Sequence, residues 1–112
     1  MERLANRSTL PLNSSIIADD DFEWHAAKAR QNYRRHGVTF DAAKKAFADP
    51  FAIAVIDERE VYGEERCNLL GMAERQLLNV AYTERSGRIR LISARRATRK
   101  EIDDYFTQNA QT

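Results

Sequence analysis

In "FEWHAAKARQNYRRHGVTF", residues 22–40, Trp24, Lys28, Asn32 and His36 recur four apart. On a helix that interval stacks a ring, an ammonium, an amide and an imidazole along one face. Such a row makes a poor core stripe, so it is either a solvated face or one wall of a site. A second concentration of chemistry lies further along. Residues 84–100 carry Arg85, Arg88, Arg90, Arg95, Arg96, Arg99 and Lys100 against Glu84 alone, a local charge of +6. Residues 1–23 hold Arg3 and Arg7 against Glu2, Asp19, Asp20, Asp21 and Glu23, a local charge of −3. The formal net charge of +1 therefore hides a basic segment suited to a polyanionic partner. Of the 18 cationic residues 14 are Arg, whose planar fork grips phosphates and carboxylates where Lys offers a point charge. Two His, one Cys and scattered carboxylates show no familiar ligand spacing, and no Gly-rich phosphate loop or nucleophile elbow is present. The expectation is cationic chemistry with no metal and no cofactor.

The frame that must position these groups is small. A chain of 112 residues, 43% hydrophobic and 31% charged, reads as one globular domain with a modest core. Cys67 has no disulfide partner and lies in an apolar run, which fits a buried small hydrophobe in a reducing compartment. No apolar run approaches the roughly 20 residues of a membrane span, and the N-terminus lacks a basic-then-apolar signal. A cytoplasmic location without membrane contact is expected.

Along the chain, residues 1–20 show no clear period and read as a flexible or loosely docked tail, followed by a single domain over residues 21–108. Residues 22–24 suit a short edge strand leading into a helix over about 25–36, stopped by Gly37. Thr39 caps a second helix whose stripe is Phe40, Ala43 and Phe47, ended by Asp49-Pro50. Then the period becomes strand-like. "FAIAVID" (51–57), "RCNLLGM" (66–72), "LLNVAYTE" (77–84) and "RIRLISA" (88–94) form four strands joined as an antiparallel meander. Thr98 and Glu101 make a capping box for a C-terminal helix that contacts the domain through Ile102, Tyr105 and Phe106. The order argues an α+β fold: two N-terminal helices, a four-stranded antiparallel sheet and a C-terminal helix, with one sheet face covered and the other partly open. An open face carrying basic residues suits RNA.

Three ordered blocks resemble the BrnT family, toxins of bacterial type II toxin–antitoxin pairs. They are F-E-W-x-x-x-K-x-x-x-N-x-x-x-H-G-V-x-F, then G-E-x-R, then Y-T-x-R with R-I-x-x-I-S-A-R-x-A, spread over about residues 22–105. The resemblance implies a RelE-like fold, ribonuclease activity that inhibits translation, and neutralisation by a BrnA-type antitoxin with a ribbon-helix-helix domain. Operator DNA would then be bound only through that antitoxin. The family usually has Asp where this chain has His25, so either the helix cap moves to Glu23 or the helix start is weaker by ~1 kcal/mol.

RNA brings its own nucleophile, the 2′-hydroxyl. An enzyme must hold it in line, stabilise charge on the phosphoryl oxygens and manage two protons. Arg66 and Arg95 are the candidates for binding the scissile phosphate, with Arg95 favoured by the resemblance. By simple alternation Arg95 shares parity with Ile89, Leu91 and Ser93, and Arg90 and Arg96 share the other. Lys28 reads as a phosphate contact, an acid or a solvated lysine. His36 has a side chain suited to proton transfer, yet before Gly37 it can simply cap the helix C-terminus. Glu65 reads as a base or a salt-bridge partner. Tyr82 reads as a stacking platform or a core aromatic, and Arg85, Arg90 and Arg96 as substrate-binding groups. A second reading keeps the scaffold as a binding module without cleavage. A third makes it a partner that homodimerises through a strand edge or the C-terminal helix.

Overall fold

The computed structural model describes residues 15–61 and 64–110, with backbone alone over 56–61 and at 64. Its order is β1 (Ile16–Ala18), β2 (Phe22–His25), α1 (Ala26–His36), α2 (Phe40–Ala46), β3 (Ile53–Val61), β4 (Glu64–Ala73), β5 (Gln76–Arg85), β6 (Arg88–Arg96) and α3 (Arg99–Ala110). The expected meander forms: β3, β4, β5 and β6 pair antiparallel in sequence order. The sheet as a whole departs from the four antiparallel strands expected. It is six-stranded and mixed, in the order β1-β2-β6-β5-β4-β3. The added strand β2 runs parallel to β6, with Phe22 opposite Ile89 and Glu23 opposite Arg90. β1 folds back on β2, so residues 16–18 join the sheet, while residues 1–14 of the stretch read as a tail lie outside the described residues.

The β1–β2 hairpin is closed by Asp19. Its carboxylate accepts from the N–H groups of Asp21 (2.9 Å) and Phe22 (2.7 Å) and takes the Lys44 ammonium of α2 at 2.7 Å. The Lys44 hydrogen bond, then the two backbone donors, hold the Asp19 carboxyl down at about 2.

α1 and α2 cover one face of the sheet. α2 follows its expected caps: Thr39 Oγ1 accepts from Ala42 N–H at 3.0 Å, and Phe40 and Ala43 are buried. Phe47, just past its end, meets Phe22 and Tyr82 edge-on. Beneath it, Gly71 passes so close to the Ala46 carbonyl that a Cβ there would collide with backbone. α1 behaves differently. It ends as expected, with Gly37 at φ 70° returning its N–H to Tyr33 O at 2.8 Å. Yet Tyr33 is exposed, and the buried residue of this helix is Asn32, 6% accessible. Its side chain accepts from Ala94 N–H (3.0 Å) and donates to Ala94 O (2.8 Å) and Val38 O (2.9 Å).

α3 lies across one end of the other face. Tyr105 is buried with Leu70 and Leu77, and Ile53, Met72, Ala97 and Ile102 close around them. Phe106, expected as a contact, is exposed and only meets the Tyr105 ring edge-on. Two polar links fix the helix. The Tyr105 hydroxyl donates to Asp49 at 2.6 Å, and Glu101 accepts both Arg95 terminal nitrogens at 2.9 Å. Glu101 also takes Thr98 N–H at 2.8 Å in the expected capping box, and Asn79 Nδ2 at 2.9 Å. None of the helices among the described residues is long and apolar enough to cross a membrane.

Three outcomes follow. Asn32→Ala leaves three buried backbone groups unpaired and should lower stability by about 3 kcal/mol in urea unfolding. Asn32→Asp should also destabilise, because a carboxylate faces two carbonyls. Glu101 is held at about 2, well below the usual 4.5, chiefly by the Arg95 hydrogen bond. Its contribution is complete above pH 4.5 and is lost as pH falls from 4.5 toward 2. Glu101→Gln should therefore be less stable at neutral pH and should flatten the pH dependence of unfolding across that window.

Candidate nucleic-acid interface and active site

Alternation along the strands decides which side chains meet. Leu69 on β4 and Leu78, Val80 and Tyr82 on β5 lie in the core under α1 and α2. Their neighbours, including Arg66, Asn68, Asn79 and Thr83, therefore point to the opposite, open face. On β6 a bulge intervenes. Tyr82 stands opposite Leu91 but Ala81 opposite Ser93, so Ile92 is extra. Leu91 and Ala94 both face the core, and Arg90, Ser93 and Arg95 all face the open side. The parity expected by simple alternation, with Arg95 on the side of Ile89 and Leu91 and apart from Arg90, is corrected by that one residue.

Arg66 and Arg95 thus share a face, but they do not share a rung. Arg95 lies beside Asn79, four residues along β5 from the rung of Arg66, so their Cα atoms are about 16 Å apart. Arg95 is also occupied. Its fork grips Glu101 end-on through both terminal nitrogens, which raises its own pKa further. The group that stands level with Arg66 is Arg90. Thr83 pairs with Arg90, and Arg66 stands one residue beyond the Cys67–Tyr82 pair, which puts the two arginines on either side of Thr83, about 10 Å apart across two strand spacings. Thr83 is buried and donates its hydroxyl to Glu65 O at 2.6 Å, which pins the β4–β5 register at this rung. Arg66 Nε is the one buried side-chain polar atom among the described residues without a hydrogen-bond partner. A guanidinium left so is uncommon, and it has capacity for an anion.

The rung continues onto β2. Phe22 and Trp24 face the core, so Glu23 and His25 face the open side. Glu23 is 7% accessible and accepts Arg90 Nε and Nη2, each at 2.8 Å, with Arg88 Nη1 at 3.8 Å. His25 Nε2 sits 3.4 Å from Arg90 Nη1. Neither residue caps α1: His25 occupies the cap position without a side-chain hydrogen bond, and Glu23 is committed to the arginines. Sequence reasoning passed over Glu23 and His25 as site residues. The signal was the two-residue alternation of "FEWH", apolar then polar, which puts both on one face.

The row that opened the sequence is divided. Trp24 is buried and meets Phe40 edge-on. Lys28, Asn32 and His36 line one small cleft of about 140 Å³ with Gln31, Arg35, Ile92 and Ser93. It opens where the β6 bulge meets α1, beside the arginine face. Glu65 and Arg96 are exposed, and Arg96 shares the parity of Ala94. Arg85 pairs with Arg88 at the far end of the open face. Tyr82 is 8% accessible, clasped by Phe47 and beside Cys67, and burial pushes its hydroxyl up to about 12. The ring has no free face on which a base could stack, so its place is in the core. No three His, Cys, Asp or Glu side chains among the described residues gather as a metal cluster would.

The assembled surface is thus an arginine-lined sheet face with an acid, an imidazole and a polar cleft at its β2–β6 side. Comparison with curated proteins yields no match. A family model described as "Ribonuclease toxin, BrnT, of type II toxin-antitoxin system" matches residues 24–101, well over half of the chain and all of the elements from α1 to β6. The chain belongs to the BrnT family, ribonuclease toxins of type II toxin–antitoxin systems whose partner is an antitoxin.

Proposed function

We propose that this toxin is an endoribonuclease that cuts RNA on the open sheet face by attack of the 2′-hydroxyl on the adjacent phosphorus, without a metal ion, and so inhibits translation. The observation that carries this reading is the common rung of Arg66 and Arg90. Two guanidinium groups about 10 Å apart at their Cα atoms can close on one phosphate from both sides. Fixed cations there stabilise the charge that grows on the non-bridging oxygens, and they cost no reorganisation when the bond forms. Arg95 contributes in a different manner: bound to Glu101, it braces α3 at the edge of the face. Lys28 and His36 would receive a neighbouring phosphate in the cleft, and Arg85 would meet the backbone further out, whereas Arg96 lies on the other parity. Glu65, exposed next to Arg66 on β4, turns to the opposite face by alternation and takes no part at the phosphate.

The antitoxin fitting this surface is of the BrnA type, with a ribbon-helix-helix domain that supplies the operator contacts. The chemistry that complements it is acidic, since five arginines (66, 85, 88, 90 and 95) line the face it must deny to RNA. A second reading has one observation in its favour. Arg90 and Arg95 are already paired with carboxylates, so the face could hold RNA or protein without cutting.

Cleavage of a defined RNA by purified protein in EDTA separates the two. Full activity in EDTA is expected, and a requirement for Mg²⁺ would reject the metal-free route. Arg66→Ala and Arg90→Ala should each lower the cleavage rate about 10²- to 10³-fold, or ~3–4 kcal/mol, and relieve growth arrest in cells lacking antitoxin. Arrest that persists in both variants after cleavage is lost would establish action by binding.

A further inference from the structure

We propose that His25 is the general base of the open-face site, an assignment that rests on the ribonuclease reading above. Cleavage forms the P–O2′ bond and breaks the P–O5′ bond, leaving a 2′,3′-cyclic phosphate and a 5′-hydroxyl. One proton must leave the 2′-oxygen and one must reach the 5′-oxygen. Of the two imidazoles in the chain, His36 lies at the C-terminal end of α1, while His25 lies two residues along β2 from Glu23, the residue opposite Arg90, with its Nε2 3.4 Å from Arg90 Nη1.

Three features of His25 fit the first of those transfers. It occupies the last position of β2, where alternation with Trp24 turns its ring to the open face. It is half-buried rather than sealed, so substrate can reach it. Its Nε2 lies 3.4 Å from Arg90 Nη1, and a guanidinium has donors only, so the contact suits a neutral ring. The contact holds the ring beside the group that grips the phosphate. Its cap position contributes no side-chain bond to α1, so the ring is not committed to the helix.

The charged surroundings are mixed. Glu23 shares its strand and face, and Arg88 and Arg90 approach from β6. Lys28 follows one turn into α1, β1 offers no charge in Ile16–Ala18, and Asp19 to Asp21 lie in the turn before β2. Glu23 is the competing base by position. It is already clamped by Arg90, however, and its side chain is nearly closed to solvent, which leaves the imidazole as the group free to accept a proton.

The test is the pH dependence of single-turnover RNA cleavage for the wild type, His25→Gln, His25→Ala and His36→Gln, each checked for folding by its unfolding curve. The wild type should gain rate with rising pH through the imidazole range, between about pH 5 and 8. His25→Gln can still accept from Arg90 but cannot take up a proton. It should lose about 10²-fold in rate together with the ascending limb. Added imidazole should restore His25→Ala at least about tenfold, which a purely structural role would not allow. A His25→Gln protein that keeps the limb, at any rate, overturns the assignment, and so does a limb that disappears only in His36→Gln. If Arg66→Ala is inactive while His25→Gln retains the wild-type profile, this assignment alone falls. If the wild type does not cleave RNA, the ribonuclease reading falls and takes it along.

Discussion

Beyond the pairing of Glu23 with Arg90, β6 has no strand on its outer side, and one amide takes the strand's place. Asn32 offers Ala94 an acceptor and a donor, as a neighbouring backbone would, and with its remaining N–H it reaches Val38 just past the end of α1. An unpaired edge in the middle of a sheet is costly when it is buried, and a helix cannot satisfy it with backbone already used internally. An Asn side chain can, because it carries both halves of a peptide group. The consequence is that α1 is docked by geometry more than by apolar area. Its exposed Tyr33 and half-buried alanines make a weak hydrophobic face, while three directional bonds fix its angle and depth.

That fixed placement is what gives the candidate site its shape. α1 carries Lys28 and His36 one turn either side of Asn32, so the bonds that hold the helix also set those two side chains against Ile92 and Ser93. The bulge at Ile92 works with it. Without the extra residue, Ser93 and Arg95 would turn to the core and Ala94 to the open face. With it, β6 buries Leu91 and Ala94 and still presents Arg90, Ser93 and Arg95 together. A helix anchored at Ala94 and a strand re-aimed one residue before it are two parts of the same local solution.

Much of this was legible in order but not in register. Local signals placed Gly37, Thr39, Asp49-Pro50 and the Thr98–Glu101 box correctly, because caps and breakers act over a few residues. The meander was legible from four apolar runs and short connections. β1 was not, since three exposed residues carry no alternation, and the parallel pairing of β2 with β6 spans more than sixty residues. The bulge defeats parity counting on β6, and the match of Arg66 with Arg95 rests on the family resemblance, whereas Arg90 is the group level with Arg66. Arg95 is read from its charge and from the family resemblance, without its neighbours. The same capping box that correctly predicted α3 also supplied Glu101, and a carboxylate there was the reason to expect that Arg95 would be taken. Of the two readings of Tyr82, the core place is the one that the spacing of Leu78 and Val80 already favours.

The acid partners on the open face bear on how such a surface discriminates. Bare arginines would attract any polyanion, with affinity that falls steeply with salt. Here Glu23 and Glu101 neutralise Arg90 and Arg95 at opposite ends of the face and fix their planes. A guanidinium so held has two of its donors engaged and the others aimed, so an incoming phosphate must match a direction as well as a charge. The pairing also keeps Glu23 from standing as a lone buried carboxylate, which would cost several kcal/mol. Removing Arg90 would therefore disturb more than phosphate binding, because it would strand Glu23 and release His25 at once. Arg66 has no such entanglement among the described side chains, and its unpartnered Nε makes it the cleaner reporter of what the face does to an anion.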